Sequence, residues 1–353
     1  MAQLEQGFWR ITFDTNPNDC NLHCIMCEHH SKYSAVETNR IAAGNPKAIM
    51  PIQLIRKVLA SAKNSRLREI IPSTMGEPLL YENFPEFIEL CKEFHVKLNL
   101  TTNGTFPLRG AIAWANLIIP VTSDVKISWN GATKKTQEKI MQGSNFEQGI
   151  QNIKDFVQVR NELASKSKNY CQITLQLTFM ETNFCELEDI IKLAITLGVD
   201  RVKGHHLWIN FEELTPLSLR RNSDSIAKWN EAVINIRNIV VKNRLSNGKL
   251  LKLANFEILD ETATRNLSLD GVCPFLGKEA WIAPDGRFSP CCAPDLLRRK
   301  LGEFGNVNDK NVLDIWQNEA YQALIKNYMQ NEVCVACNMR RPKEICEENT
   351  YEN

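Results

Sequence analysis

The sequence of 353 residues carries almost no net charge, with 42 lysines and arginines against 41 aspartates and glutamates. That balance leaves no electrostatic footprint for nucleic acid or for an anionic membrane surface. No apolar run approaches the ~20 residues needed to span a bilayer. The opening segment "MAQLEQGFWRIT" has neither the charged head nor the apolar stretch of a secretory signal. Internal repeats and low-complexity tracts are missing too. A cytoplasmic location is therefore expected, where thiols stay reduced and a disulfide framework is not. What the chain does have is cysteine, twelve of them. In a reducing compartment such a number points to metal or catalysis.

The cysteines fall in groups. Cys20, Cys24 and Cys27 sit together in "DCNLHCIMCEHH"; Cys91, Cys171 and Cys185 are isolated; Cys273, Cys291, Cys292, Cys334, Cys337 and Cys346 crowd the last quarter. Two metal centres in two parts of the chain are expected. The isolated three are read as buried and inert.

Periodicity places the first group. "GFWRITFDT" is rich in aromatic and β-branched residues and reads as a strand, and "NPNDCN" as the loop after it. Ile52, Ile55 and Leu59 then mark a helix. "LREIIPSTM" is a second strand, followed by the helix "NFPEFIELCKEF" with Asn83 as its N-cap. Strand and helix alternate through "VKLNLTT", "RGAIAWANLI", "SDVKISW", "FEQGIQNIKDFVQVRNELA", "YCQITLQLTFM", "ELEDIIKLAITLG" and "DRVKGHHLWI". Six alternations argue for parallel strands with crossover helices, in an open sheet or a barrel. Both architectures carry their chemistry on loops at the C-terminal ends of strands, where the first cysteines lie. Residues 211–270 read as a bridge of one helix and one strand. The tail at 347–353 is polar.

Three close thiolates among Asp, Asn and His are too polar for a core face. Zinc, completed by His23, His29 or His30, is one alternative. An iron–sulfur cluster is the sharper reading, because three protein ligands on four irons leave one iron open to substrate or cofactor. Here C-x3-C-x2-C after the first strand resembles the signature of the radical S-adenosylmethionine (SAM) enzymes. "TMGEPLL" looks like that family's GGEP-type motif, so the resemblance assigns Gly76, Glu77 and Pro78 to SAM, with Met75 in place of the first glycine. "LTTNGT", with Thr102 and Asn103, is similar to the family's third-strand end. "ISWNGA" is similar to its fourth, Ser128 keeping a ribose contact and Asn130 standing where Asp is common. Met26 replaces the usual aromatic beside adenine. The resemblance covers roughly residues 7–210. It implies a partial (β/α)6 TIM-like barrel over 1–210, a [4Fe-4S] cluster, and reductive cleavage of SAM to a radical that takes a hydrogen from substrate.

"WIAPDGRFSP" is a hairpin turning at Pro284, Asp285 and Gly286, with Cys273 before it and Cys291 after it. "DIWQNEAYQALIKNYMQ" is a helix leading to Cys334 and Cys337. Hairpin and helix can gather these four cysteines round one point, for zinc or for a second cluster. Zinc sites mostly use two close pairs, whereas Cys273 and Cys291 are eighteen apart. The region 271–346 resembles the SPASM extension in its shortened, twitch form, because Lys343 stands where a full SPASM domain has its next cysteine. That resemblance implies one auxiliary [4Fe-4S] cluster on Cys273, Cys291, Cys334 and Cys337, with Cys292 and Cys346 as alternates in the ligand set.

Family resemblance also sets the expected substrate, a ribosomally made precursor peptide. Only about seven residues precede the first strand, so recognition would fall to a small partner protein, with a flavodoxin-type reductase as electron donor. Backbone excision is one such chemistry. The alternative is dehydrogenation of an aminocyclitol or sugar alcohol, with His205 or His206 as base. A further alternative, from a different class, is a zinc-stapled binding protein without enzymatic activity. The insert "SKYSAVETNRIAAGNPKAI" could cover either substrate.

Overall fold

A computed structural model describes residues 7–63, 65–73, 75–167, 169–260 and 271–341. Cys346, Lys343 and the tail lie outside them. Nine strands form one sheet: β1 Arg10–Phe13, β2 Glu69–Ile71, β3 Lys97–Thr102, β4 Thr122–Ser128, β5 Gln172–Phe179, β6 Arg201–His206, β7 Lys252–Ala254, β8 Glu279–Ile282 and β9 Phe288–Ser289. Their spatial order is β7-β6-β5-β4-β3-β2-β1-β8-β9. All neighbours pair in parallel except β8 and β9, which form the expected hairpin. This is an α/β fold with the sequential parallel sheet of a partial TIM-type barrel. The crossover helices include Ile52–Ser61, Phe84–Glu93, Ala111–Ile118, Phe146–Lys166 and Leu187–Leu197.

Asn83 holds the N-cap position of helix Phe84–Glu93 as expected, without a side-chain cap hydrogen bond. One local expectation needs correction. The helix expected over "DIWQNEAYQALIKNYMQ" is broken in two, Val312–Gln317 and Glu319–Asn327. Asn318 causes the break by leaving helical geometry and accepting a hydrogen bond from Tyr321 N through its side chain.

The hairpin does not stand apart from the barrel. β8 adds to the free edge of β1, with Arg10 opposite Glu279 on one side and Glu69 on the other. The register is reinforced by charge: Arg10 reaches Glu69 at 2.6 Å and Glu279 at 3.1 Å. A polar belt continues across the barrel interior through Asn99, Lys126, Asp124, Thr174 and Arg201. Isolated charges could not be buried there, but a paired ring can. The belt forms a floor, and the site lies above it at the strands' C-terminal ends.

The seam at the other edge is closed by the chain's last described residues. Asn338 Nδ2 donates to His206 O (2.8 Å), and Arg341 Nε to Asn255 Oδ1 (3.0 Å). Asn255 Nδ2 in turn donates to Gly204 O on β6. So Cys273 and Cys291 arrive beside β8 while Cys334 and Cys337 arrive beside β6. Among the described residues no helix is long and apolar enough to cross a membrane.

Candidate active site

The first cysteine loop runs from the end of β1 across the barrel mouth. His23 N donates to Gln142 O (2.8 Å) and Ile25 N to Ile140 O (3.0 Å), which docks it on the segment after β4. Leu22, Ile25, Ile140, Met141, Met180, Leu207 and Leu214 form a small apolar cluster beneath it, against which Cys20, Cys24 and Met26 pack. Loop and cluster exclude water from one side of the three sulfurs. Burial raises the pKa of Cys20 to about 11, and burial with the neighbouring thiols raises that of Cys24 further. Three thiolates would repel each other here unless positive charge lay among them.

The donor set fits an iron–sulfur cluster. Backbone amides point at the sulfurs: Leu22 N to Cys20 (3.5 Å), His30 N to Cys27 (3.4 Å), Leu276 N to Cys273 (3.4 Å) and Met339 N to Cys337 (3.4 Å). Ala293 N–H does the same for Cys291. Such N–H donors stabilise sulfur that carries negative charge, a recognised lever on cluster potential. Among the described residues no three His, Cys, Asp or Glu side chains converge tightly enough to hold one metal ion. A cluster makes no such demand, since each thiolate holds a different iron. His30 Nε2 lies 2.9 Å from Pro17 O and so carries a proton there, which keeps that nitrogen from a metal.

The loop after β2 is locked to this framework. Gly76 has φ +77° and passes against the backbone of Asn16 and Asp19. Glu77 N donates to Asp19 O (2.7 Å), and Pro78 opens a short 3-10 turn. The Glu77 carboxylate is fully buried. It accepts from Leu79 N (3.2 Å), Thr102 Oγ1 (2.8 Å) and Asn103 N (2.7 Å), tying the ends of β2 and β3 together. Asn103 Nδ2 extends the link to Asn21 Oδ1 (2.8 Å), with Cys20 Sγ at 3.9 Å. Asn130 Oδ1 accepts from Thr178 N (2.8 Å) and joins β4 to β5; Ser128 is half-buried at the end of β4.

Burial raises the pKa of Glu77 to about 7, against the three hydrogen bonds that lower it. An acid whose folded pKa lies above its unfolded value binds a proton on folding, so its contribution to stability falls as pH rises from about 4.5 to about 7. Glu77→Gln removes that term. The wild-type minus variant difference in Tm is expected to shrink with rising pH across this window; a flat difference in a melting series from about pH 5 to 8 would contradict it.

A cavity of about 180 Å³ opens beside the first loop. Its lining includes Met26, Cys27 and Glu28 of the loop, Met75, Thr178, His205, Trp208 and Cys292. Alternation along β6 separates the two histidines. His205 faces the cavity, 3.4 Å from Thr178 Oγ1, and burial lowers its pKa to about 4. His206 turns the other way and packs on Trp229 and Phe179, with ring centroids at 4.8 and 5.5 Å. A second cavity is lined by Cys273, Cys291, Cys334 and Cys337, with Trp208 and Cys292 shared between the two.

Cys91 and Cys171 are buried as expected, but Cys185 is exposed, at the end of a four-residue helix. The insert after the loop forms helix Val36–Ala42, which buries none of its residues, and 41–49 is exposed throughout. Polar contacts anchor it to the loop, Asn18 to Glu37 and Lys47 to Asp19.

Comparison with known proteins follows the same division. The family model described as the radical SAM superfamily matches residues 17–194, and that described as SPASM, an iron–sulfur cluster-binding domain, matches 273–338. A Pyrococcus furiosus protein described as a tungsten-containing aldehyde ferredoxin oxidoreductase cofactor-modifying protein is 25% identical over 341 residues, 91% of this chain and 85% of that one. Among solved structures, Streptococcus suis SuiB bound to precursor peptide SuiA is similar at TM-score 0.63 and 16% identity, over 94% of this chain and 70% of that one. The structure of anSMEcpe with bound AdoMet is similar at 0.64 and 16%, over 93% and 88%. At these identities the solved structures establish the fold alone.

Proposed function

The chain belongs to the radical SAM superfamily, and from that premise we propose that it modifies a peptide. A radical SAM enzyme with a SPASM domain, it uses a [4Fe-4S] cluster, SAM and auxiliary iron–sulfur chemistry. We assign the reactive cluster to Cys20, Cys24 and Cys27 in the 1–210 barrel, and one auxiliary cluster to Cys273, Cys291, Cys334 and Cys337 in the 271–346 domain. The loop ends bearing Met26, Gly76, Glu77, Pro78, Thr102, Asn103, Ser128 and Asn130 frame SAM. Bound there, the cluster and SAM together would supply the one-electron, hydrogen-abstracting chemistry.

The protein's own part is placement. One observation carries the reading: a single cavity has the first cysteine loop on one wall and Cys292, beside the auxiliary cysteines, on another. A group held there lies between both centres. The peptide preference is supported by fold likeness across nearly the whole chain to SuiB solved with a precursor peptide and anSMEcpe solved with a Cp18Cys peptide. A small recognition partner and a flavodoxin-type donor complete the proposal. A second reading is favoured by the Pyrococcus furiosus relative, named for modifying a cofactor. In that case the substrate is a small molecule, and neutral His205 is placed to take a hydroxyl proton.

The test begins with iron, sulfide and zinc in anaerobically purified protein, then SAM and dithionite with assay for 5′-deoxyadenosine. About eight irons and deoxyadenosine are expected for two four-iron clusters. Zinc with little iron and no deoxyadenosine would return the protein to the binding class. Cys334→Ala is expected to remove about half the iron and to impair substrate turnover more than uncoupled SAM cleavage; unchanged iron would refute the second ligand set. Incubation with neighbouring precursor peptides, and separately with a low-molecular-weight cofactor fraction, distinguishes the two substrate readings.

A further inference from the structure

Cys292 has no role in the proposed function, yet unlike Cys91, Cys171 and Cys185 it lines the cavity beside the first cysteine loop. It directly follows Cys291 and, like it, is half-buried near Cys273 and Cys337; what distinguishes it is that it also reaches the first cavity. Cys291 takes the Ala293 N–H and sits with Cys273, Cys334 and Cys337. Cys292 lines the second cavity with them, but it also lines the first, where Cys291 does not. There it shares the wall with Met26, Cys27, Met75 and His205, the residues that surround the place where a radical would act. Pro294, also in that wall, precedes Asp295, whose N–H donates to Glu28 Oε2 of the first loop at 3.2 Å. The segment carrying Cys292 is therefore fastened to the loop carrying Cys27.

We propose that Cys292 is a substrate-facing thiol that supplies a hydrogen atom in the reaction, and is not an auxiliary-cluster ligand. The proposal rests on the radical SAM reading above. A thiol S–H is far weaker than an O–H, so a carbon radical in this cavity can take its hydrogen. In that step the S–H bond breaks, a C–H bond forms, and Cys292 is left as a thiyl radical. One electron from a low-potential single-electron donor of the flavodoxin class and one proton from solvent restore the thiol. Net, the substrate carbon regains a hydrogen that came from solvent.

Because the thiol hydrogen exchanges with solvent, the test needs no substrate. Iron-loaded protein is incubated in D2O with SAM and dithionite, and deuterium per 5′-deoxyadenosine formed is read by mass spectrometry. In the absence of substrate the SAM-derived radical takes the Cys292 deuterium, and dithionite supplies the restoring electron. One deuterium per molecule is expected for wild type, and at least fivefold less for Cys292→Ser, whose O–D bond is too strong to give up its deuterium. Iron content should be the same in both proteins. Independently of turnover, Cys291→Ser made beside it should lose about half its iron, while Cys292→Ser keeps all of it. Unchanged deuterium in Cys292→Ser, or loss of about half its iron, would each overturn the proposal. Absence of any deoxyadenosine from wild type would instead overturn the radical SAM reading beneath it.

Discussion

Replacing Cys24 by alanine is expected to abolish SAM cleavage and to lower the iron content from about eight to about four per chain. Cys24 is the central thiol of the loop. Its carbonyl accepts Cys27 N at 3.0 Å, and both Cys20 and Cys27 act on its ionisation. With only Cys20 and Cys27 left, the loop would lack the thiolates to retain a four-iron cluster. The fold should survive, because Cys24 packs on the small cluster at the barrel mouth and not on the main core. Far-UV circular dichroism and melting of the apoprotein should therefore match wild type within a few degrees. Cys91→Ala is the control: Cys91 is 1% exposed in the main core, and its loss should change stability without changing iron. Equal iron in wild type and Cys24→Ala, or deoxyadenosine formed by the variant, would sink the assignment of the reactive cluster.

Much of this arrangement is legible in the order of residues. Strands β1 to β6 show as short β-branched or aromatic runs, each bounded by a turn and followed by helical spacing, so local pattern and fold agree. The position of the first cysteines just past β1 is legible for the same reason. The pairing of β8 with β1 is not, since Arg10 and Glu279 are 269 positions apart and nothing local couples them. The break at Asn318 is hidden because Asn is tolerated within a helix, and only its side-chain bond to Tyr321 N shows that it caps one. Alternation on β6 sets His205 and His206 on opposite faces, but which of the two faces the cavity is not legible in the sequence. The double exposure of Cys292 cannot be read from the chain, because it depends on residues from several separate segments meeting at two cavities.

The ordered network around Gly76 makes the second large effect. Alanine there would place Cβ 2.3 Å from Asn16 O and 2.7 Å from Asp19 O, both backbone atoms that cannot swing aside. The left-handed φ of +77° adds strain of about 1–2 kcal/mol for any residue with a Cβ. Relief requires the 16–19 segment to move, and that segment leads directly into Cys20. The same movement opens two bonds, Glu77 N to Asp19 O (2.7 Å) and Asn16 Nδ2 to Glu77 O (2.9 Å). Glu77 then pulls on Thr102 and Asn103, so the ends of β1, β2 and β3 lose their common register. A loss of about 1.4 kcal/mol is tenfold in an equilibrium constant, and the combined strain exceeds that. Gly76→Ala is therefore expected to weaken SAM binding by at least tenfold, measured by equilibrium dialysis on anaerobic, iron-loaded protein, and to lower the apoprotein Tm. Gly44→Ala provides the comparison, since Gly44 has φ +66° but no atom within 4 Å of where its Cβ would stand. It should show the backbone strain alone, as a small change in Tm with SAM affinity intact. If Gly76→Ala bound SAM as tightly as Gly44→Ala, the loop after β2 would not be what holds the first cysteine loop in place.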